Sequence, residues 1–313
     1  EYGGEGLSSY KFQAILTEEL SRAAVSFGGS SVHVGLCLPY IRDIGNEEQK
    51  KRWFPGMLSG EIMFAIAMTE PGTGSDLAGM RTTAKLSEDG THYVLNGSKT
   101  FITSGMRADW ITVAVRTGEQ RGASGISLIL VPGESAGLRR SQLHKMGWQC
   151  SDTAHLFFDG VRVPASHLLG AEGEGFRAIM QNFNGERLGI ACAALGFAQA
   201  CYDEALAWAQ QRQTFGVTLN QHQVIRHKLV DMQQRLRSTD SLVQDTLFLS
   251  LPQRLGKMLK SLALEHGDEG RIDLKFTQQE IGNLIDSTRE SVSRILTEFS
   301  KDEIIRMDGK KIK

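Results

Sequence analysis

Twice along this chain the spacing of its apolar residues changes period. Up to about residue 58 the spacing is helical: Phe12, Ile15, Leu16 and Leu20 recur on one face behind the capping residues Ser8 and Ser9. Asn46 then offers an N-cap to Glu47, Glu48, Lys50, Lys51 and Arg52, whose charges are ordered to suit the helix dipole, and Trp53-Phe54-Pro55 is expected to close that helix. From Ile62 to Gly170 the pattern becomes short β-rich runs: His92 to Leu95, Lys99 to Thr103, Trp110 to Arg116, Ile126 to Val131, His155 to Phe158 and Val161 to Val163. Asn96-Gly97, set between two such runs, predicts a hairpin because both residues tolerate positive φ. Beyond Gly170 the helical period returns, from Phe176 to Gln211 and from about Asn220 to Leu236. A strand pattern cannot be satisfied as a helix, so the chain reads as a mostly antiparallel β domain between helical segments, a multidomain α+β protein.

Composition narrows the class. With 313 residues there is room for two or three domains, and a formal net charge of −1 points neither to nor away from nucleic acid. Cys37, Cys150, Cys192 and Cys201 form no C-x-x-C pair and sit in apolar contexts, which predicts reduced core residues of a cytoplasmic protein and no metal site. No apolar run approaches the roughly 18 to 20 residues of a membrane span, and no signal peptide precedes Glu1. Position 1 is not methionine, so the natural start is expected upstream.

One loop is suited to a ligand. Met68-Thr-Glu-Pro-Gly-Thr-Gly-Ser-Asp76 follows the apolar run Ile62 to Ala67 at the mouth of the expected sheet. Gly72 and Gly74 allow close backbone approach, Thr69 and Ser75 carry hydroxyls, and free N–H groups can cradle an anion or a polar ring edge. On residue type alone Pro71 to Ser75 is equally a plain turn. The longer pattern resembles the flavin-binding signature of the acyl-CoA dehydrogenases, and the resemblance runs from about Gly3 to Gln234. It implies FAD as cofactor, held by Met68, Thr69, Gly74 and Ser75. It also implies that Phe101 walls the flavin ring, with Ile102 and Thr103 beside its reactive nitrogen; many members have tryptophan where this chain has Phe101. Arg212, Thr214, Phe215, His222 and Gln223 match the R-x-T-F-G and H-Q motifs that reach FAD across a subunit boundary, which implies a homo-oligomer. Without the resemblance, Phe101 is a core residue and Arg212 a solvated helix-end charge.

The same resemblance implies an acyl-CoA substrate, an electron-transfer flavoprotein or similar acceptor, and a glutamate base. That base stands at one of two places in the family, and the early, long-chain and isovaleryl position is filled here by Glu186 in Asn184-Gly185-Glu186-Arg187-Leu188. On residue type alone Glu186 is a solvated helix glutamate. Asn184 and Arg187 match the lining of the substrate channel, and Ser75 matches a residue near the thioester. His144 and Lys145 also resemble the long-chain subgroup, with no chemistry assigned to them.

From about Arg235 a second resemblance begins, to the winged helix of the Crp/Fnr transcription regulators. Leu255, Met258, Leu259 and Leu262 mark an amphipathic helix, and a strand is expected from Arg271 to Leu274. Thr277 and Glu280 form a capping box, and a second helix runs from Thr288 to about Phe299. Arg289, Glu290 and Arg294 match the pattern R-E-[ST]-V-x-R and are side chains that can read base edges of double-stranded DNA; Ser291 and Lys310 suit phosphates, and Asp308-Gly309 a wing hairpin. The expected domains are therefore 1–61, 62–170, a truncated helical domain 171–235, and the winged helix 236–313. Truncation predicts an uncovered apolar face and weak flavin retention. Three readings stay open: a dehydrogenase, a DNA-binding regulator whose dehydrogenase part senses or is a remnant, and a composite of two truncated genes. The absence of a Pro/Gly/Ser-rich linker near Arg235 favours the last.

Overall fold

The computed structural model describes residues 10–118, 122–266, 272–273, 277–285, 287–308 and 311–312. They fall into two compact units, residues 19–193 and residues 10–18 with 194–313. Ser8 and Ser9, Gly309, Lys310 and Lys313 lie outside the described residues, as do Arg271 and Leu274 at the two ends of the expected strand.

The first unit is organised by a sheet with both faces buried. After α1 (Lys11–Arg22), whose residues up to Glu18 fall in the second unit, helices α2 (Ser30–Val32), α3 (Leu38–Ile44) and α4 (Glu47–Ser59) precede strands β1 (Phe64–Ala67), β2 (Thr83–Leu86), β3 (His92–Thr103), β4 (Trp110–Arg116), β5 (Ile126–Pro132), β6 (Leu138–Gln142), β7 (Thr153–Pro164) and β8 (Leu168–Leu169). Their order is β6-β7-β3-β2-β4-β5-β8, with β1 parallel to β4 and the remaining pairs antiparallel except for one parallel contact of β2 with β4. Successive side chains of a strand point to opposite faces. Ala65, Ala67, Ile111, Val113, Val115, Ile129 and Val131 accordingly enter one core with β3 and β7, and Phe64, Ile66, Ala114, Ile126, Leu128 and Leu130 enter another with the helices.

Local chemistry explains the joints. Asn46 Oδ1 accepts from the Gln49 N–H at 2.8 Å and Gln49 Oε1 from the Asn46 N–H at 3.0 Å, a capping box that starts α4. Gln49 Nε2 then donates to the Ser166 and Leu168 carbonyls, pinning α4 to β8. Pro55 does not end this helix: it continues for a further turn to Gly60, whose φ of 79° supplies the left-handed cap. Between α2 and α3, His33–Cys37 winds as a π turn, and the His33 ring bridges the Met57 carbonyl and the Phe64 N–H, each at 3.0 Å.

Two further expectations need correction. Asn96-Gly97 makes no hairpin; β3 runs straight through it with a register shift against β7. Gly97 is required by approach instead: at φ 143°, a Cβ there would lie 2.7 Å from Thr82 Cα, and Asn96 Oδ1 accepts the Gly160 N–H. In α1, Phe12, Ile15 and Leu16 are exposed while Ala14 and Ser21 are buried. Cys37 and Cys192 are buried as expected, but Cys150 lies in a surface turn and Cys201 on an outward helix face.

In the second unit, α5 (Gly175–Gln211) arrives from the first and is followed by the hairpin β9 (Gln213–Thr214) and β10 (Val217–Thr218), then α6 (Gln223–Phe248). Helix α6 does not stop near Leu236, because no proline or glycine intervenes before Pro252. Helices α7 (Leu251–His266), α8 (Gln278–Leu284) and α9 (Arg289–Lys301) share a core of Leu255, Leu259, Ile281, Ile285, Val292, Ile295 and Leu296. Short strands β11 (Ile272–Asp273), β12 (Met307–Asp308) and β13 (Lys311–Ile312) form an antiparallel set in the order β11-β13-β12.

Candidate functional site

The loop after β1 forms a ledge. Glu70 and Thr73 exchange both backbone hydrogen bonds, at 2.9 and 3.1 Å, so Pro71-Gly72 form the tip of a two-residue turn. Gly74 and Ser75 follow on the exposed side, and a Cβ at Gly74 would meet nothing within 4 Å, which leaves the backbone open to close approach. The Thr69 carbonyl accepts from the Thr100 N–H at 2.9 Å, which docks the ledge onto β3. There β3 bulges: Lys99 pairs with Leu156 and Ile102 with Ala154, so Thr100 and Phe101 both face His155. Phe101 occupies the left-handed region at φ 59°, a bulge conformation that favours glycine, and the residue is 68% exposed with its ring beside His155. Thr100 Oγ1 and His155 Nδ1 are 2.7 Å apart, fixing the bulge. Ile102 is buried and Thr103 half-buried. A strained, exposed aromatic next to an open backbone ledge fits one face of a flat, polar-edged ring system.

Glu186 lies in the N-terminal third of α5 and is half-buried. Asn182, one turn earlier, uses its amide to hold it: Nδ2 donates to Glu186 Oε1 at 3.0 Å and to the Leu36 carbonyl at 3.2 Å. Burial pushes the Glu186 carboxyl up to about 7, against the opposing pull of the Asn182 bond and the Arg187 charge. Burial raises the pKa values of Cys37 and Tyr40, the nearby Glu186 charge adds to both, and a hydrogen bond with Asn182 works the other way at Tyr40. Met68 and Leu77 flanking the ledge, and Cys37, Tyr40 and Phe183 around Glu186, belong to one apolar cluster. Asn184 and Arg187 are exposed, with the Arg187 guanidinium over the Phe183 ring.

Residues that sequence reasoning passed over complete this site. Lys99 and Glu70 form an ion pair of 2.9 Å in which Lys99 is 0% and Glu70 7% exposed. Burial lowers the Lys99 ammonium to about 8; burial also works against the Glu70 carboxylate, but Lys99 and the Arg81 and Thr82 N–H groups outweigh it and hold Glu70 below the usual range. Charged residues 29 positions apart carry no local signal of such a pair. Asn182 was legible in principle, as the i−4 neighbour of Glu186.

In the second unit, Phe215 and Gly216 have φ of 54° and 80°, a type I′ turn at the tip of the β9–β10 hairpin. Phe215 is 98% exposed there. Thr214 Oγ1 and His222 Nε2 are 2.9 Å apart at its base, and Arg212 and Gln223 are exposed on either side. On α9, Thr288 caps the helix by accepting from the Ser291 N–H. Arg289, Glu290 and Arg294 share an exposed groove with Gln278 of α8, and Arg294 pairs with Glu298 at 3.0 Å. Among the described residues no cluster of ligating side chains could hold a metal ion, and no helix is long and apolar enough to cross a membrane.

Family models for the acyl-CoA dehydrogenase N-terminal, middle and C-terminal domains match residues 1–61, 65–161 and 173–255, and a Crp-like helix-turn-helix domain model matches residues 253–313. The long-chain specific acyl-CoA dehydrogenase of Sus scrofa is 42% identical over 265 residues, 84% of this chain and 61% of that protein. The chain thus spans about three-fifths of the length of such curated relatives. Among solved structures, an acyl-CoA dehydrogenase from Geobacillus kaustophilus superposes with a TM-score of 0.75 at 32% identity, covering 95% of this chain and 84% of that one. A Bacillus anthracis acyl-CoA dehydrogenase complexed with FAD gives a TM-score of 0.72 at 31% identity, covering 96% of this chain and 48% of that one. With all three dehydrogenase domains matched in order around this ledge and its neighbouring helix glutamate, the chain belongs to the acyl-CoA dehydrogenase family and carries a Crp-like helix-turn-helix domain at its C-terminal end.

Proposed function

We propose that the chain is an FAD-dependent acyl-CoA dehydrogenase with Glu186 as its base. The observation that carries this reading is the Glu186 carboxyl itself, half-buried, held by Asn182 and raised to about 7. A general base works best with a pKa near the operating pH. Glu186 removes the proton beside the thioester carbonyl, and Asn182 keeps its carboxylate aimed while the reaction proceeds. FAD, when bound, supplies the acceptor for the hydride leaving the β-carbon.

Met68, Thr69, Gly74, Ser75, Phe101, Ile102 and Thr103 would hold the flavin ring on the ledge. Arg212, Thr214, Phe215, His222 and Gln223 would reach the dinucleotide from a second copy of the chain, and the fully exposed Phe215 tip supports that reading. Asn184, Arg187 and Ser75 would line the acyl-CoA channel, and an electron-transfer flavoprotein would reoxidise the enzyme. Anaerobic addition of a long-chain acyl-CoA to the FAD-loaded chain should bleach its visible band. Glu186→Gln should keep the band and lose the bleaching, and bleaching at the unmutated rate would remove Glu186 from the mechanism.

A second reading, DNA binding, is favoured by the α9 face. Arginine pairs with guanine and glutamate accepts from cytosine, and Arg289, Glu290 and Arg294 line one exposed groove with Gln278. Ser291 and Lys310 would contact phosphates. Arg294 must leave Glu298 to reach a base, a small cost because exposed i,i+4 pairs are worth about 0.3–0.5 kcal/mol. Arg289→Ala should cost about 1–3 kcal/mol on a preferred duplex and relax sequence preference there. Equal affinity of the unmutated chain for every duplex would exclude this reading.

A further inference from the structure

We propose that Lys99 is a positioning residue for the Met68–Asp76 ledge, an inference that rests on the flavin reading above: its ammonium anchors the Met68 carbonyl and Glu70, and so sets which way the Thr69 N–H is presented. Lys99 Nζ donates to Met68 O and to Glu70 Oε1, both at 2.9 Å. The next carbonyl along, that of Thr69, accepts from the Thr100 N–H at 2.9 Å. Two successive carbonyls are therefore drawn onto two successive residues of β3. In a trans peptide the N–H points opposite to the C=O it is joined to, so fixing Met68 O turns the Thr69 N–H away from Lys99.

Glu70 extends the anchor to a third segment, because its two carboxylate oxygens accept the Arg81 N–H at 2.7 Å and the Thr82 N–H at 2.9 Å. The exit of the ledge into β2 is tied down by the same charge. Lys99 also stands immediately before the Thr100–Phe101 bulge, so one side chain relates the ledge to the exposed aromatic wall. A buried ion pair is a costly way to fill this volume, which apolar side chains would occupy at less desolvation penalty. Its use here is intelligible if it fixes the backbone geometry rather than merely packing the core.

Lys99→Met alone strands the Glu70 carboxylate and lowers stability, so the deciding variant is the double K99M/E70Q, which removes both charges. Amide hydrogen exchange on the full chain is measured before any FAD is added, and FAD affinity afterwards. The double variant should melt within a few degrees of the parent, exchange the 69–76 amides about tenfold or more faster, and bind FAD about tenfold or more weakly. Parent-like exchange and affinity would overturn the proposal. E70Q, which keeps the bond from Lys99 to Met68 O, serves where the double variant fails to fold: retained ledge protection supports the Lys99 anchor, and lost protection overturns it. If the parent chain itself takes up no FAD, the flavin reading fails while the exchange measurement still decides the role of Lys99.

Discussion

The pH profile of the reductive half-reaction tests the Glu186 assignment most directly. A carboxyl titrating at about 7 is about one-tenth ionised at pH 6 and about nine-tenths ionised at pH 8. The base must be ionised to accept a proton, so kcat/KM should rise about tenfold across that interval. A carboxyl left at the ordinary 4.5 would be almost fully ionised at pH 6, and the profile above it would be flat. The assay is stopped-flow bleaching of the flavin band by acyl-CoA at low substrate, where kcat/KM reports the free enzyme. Two variants sharpen it. Glu186→Gln should reduce the rate by about 10² to 10⁴ and abolish the acid limb from whatever rate remains. Asn182→Ala removes a bond that favours the ionised carboxylate, and the limb should move to higher pH. A flat profile between pH 5.5 and 8, or a limb that survives in Glu186→Gln, would refute the reasoning.

Three other perturbations follow from geometry. The folded pKa of Glu186 lies above its unfolded value, so its contribution to stability is full below about 4.5 and lost as pH rises through about 7. Glu186→Gln should therefore gain about 1 kcal/mol relative to the parent at pH 8 over pH 5, a figure reduced for solvent screening, and equal melting differences at both pH values would contradict it. Gly97→Ala places a Cβ 2.7 Å from Thr82 Cα at a φ of 143° and should cost about 2–4 kcal/mol, read as a lowered melting point. In α8, Gly282→Ala would set a Cβ 2.8 Å from the Ser287 carbonyl; despite better helix propensity it should loosen the turn before α9 and weaken DNA binding, and tighter binding would count against that packing.

Much of this architecture was legible because its signals are local. The Asn46 N-cap and the Thr277–Glu280 box each act within four residues, and both cap helices where they are expected. Asn96-Gly97 misled for the complementary reason: its tolerance of positive φ is a local property, but whether it turns or bulges depends on β7, about sixty residues away. Pro55 signals a helix end in the sequence, although the helix carries on to a glycine cap. In α1 the apolar spacing marks a helix, but period alone cannot say whether the stripe faces a core, and Phe12, Ile15 and Leu16 are exposed. The same limit governs the candidate site. Residue type at Glu186 is silent about burial, and nothing local marks Lys99 and Glu70 as a pair that the fold removes from water.

Phe101 carries a consequence for anyone who would engineer this chain. Its left-handed backbone at φ 59° is one that glycine adopts without penalty and a bulky residue only at about 1–2 kcal/mol. The residue, 68% exposed, recovers little of that through packing within the chain. Selection for thermostability alone would accordingly drift toward glycine here, and each step in that direction would erase the aromatic wall. The same codon is pulled two ways, and a library scored by melting temperature without a flavin readout would discard this side chain.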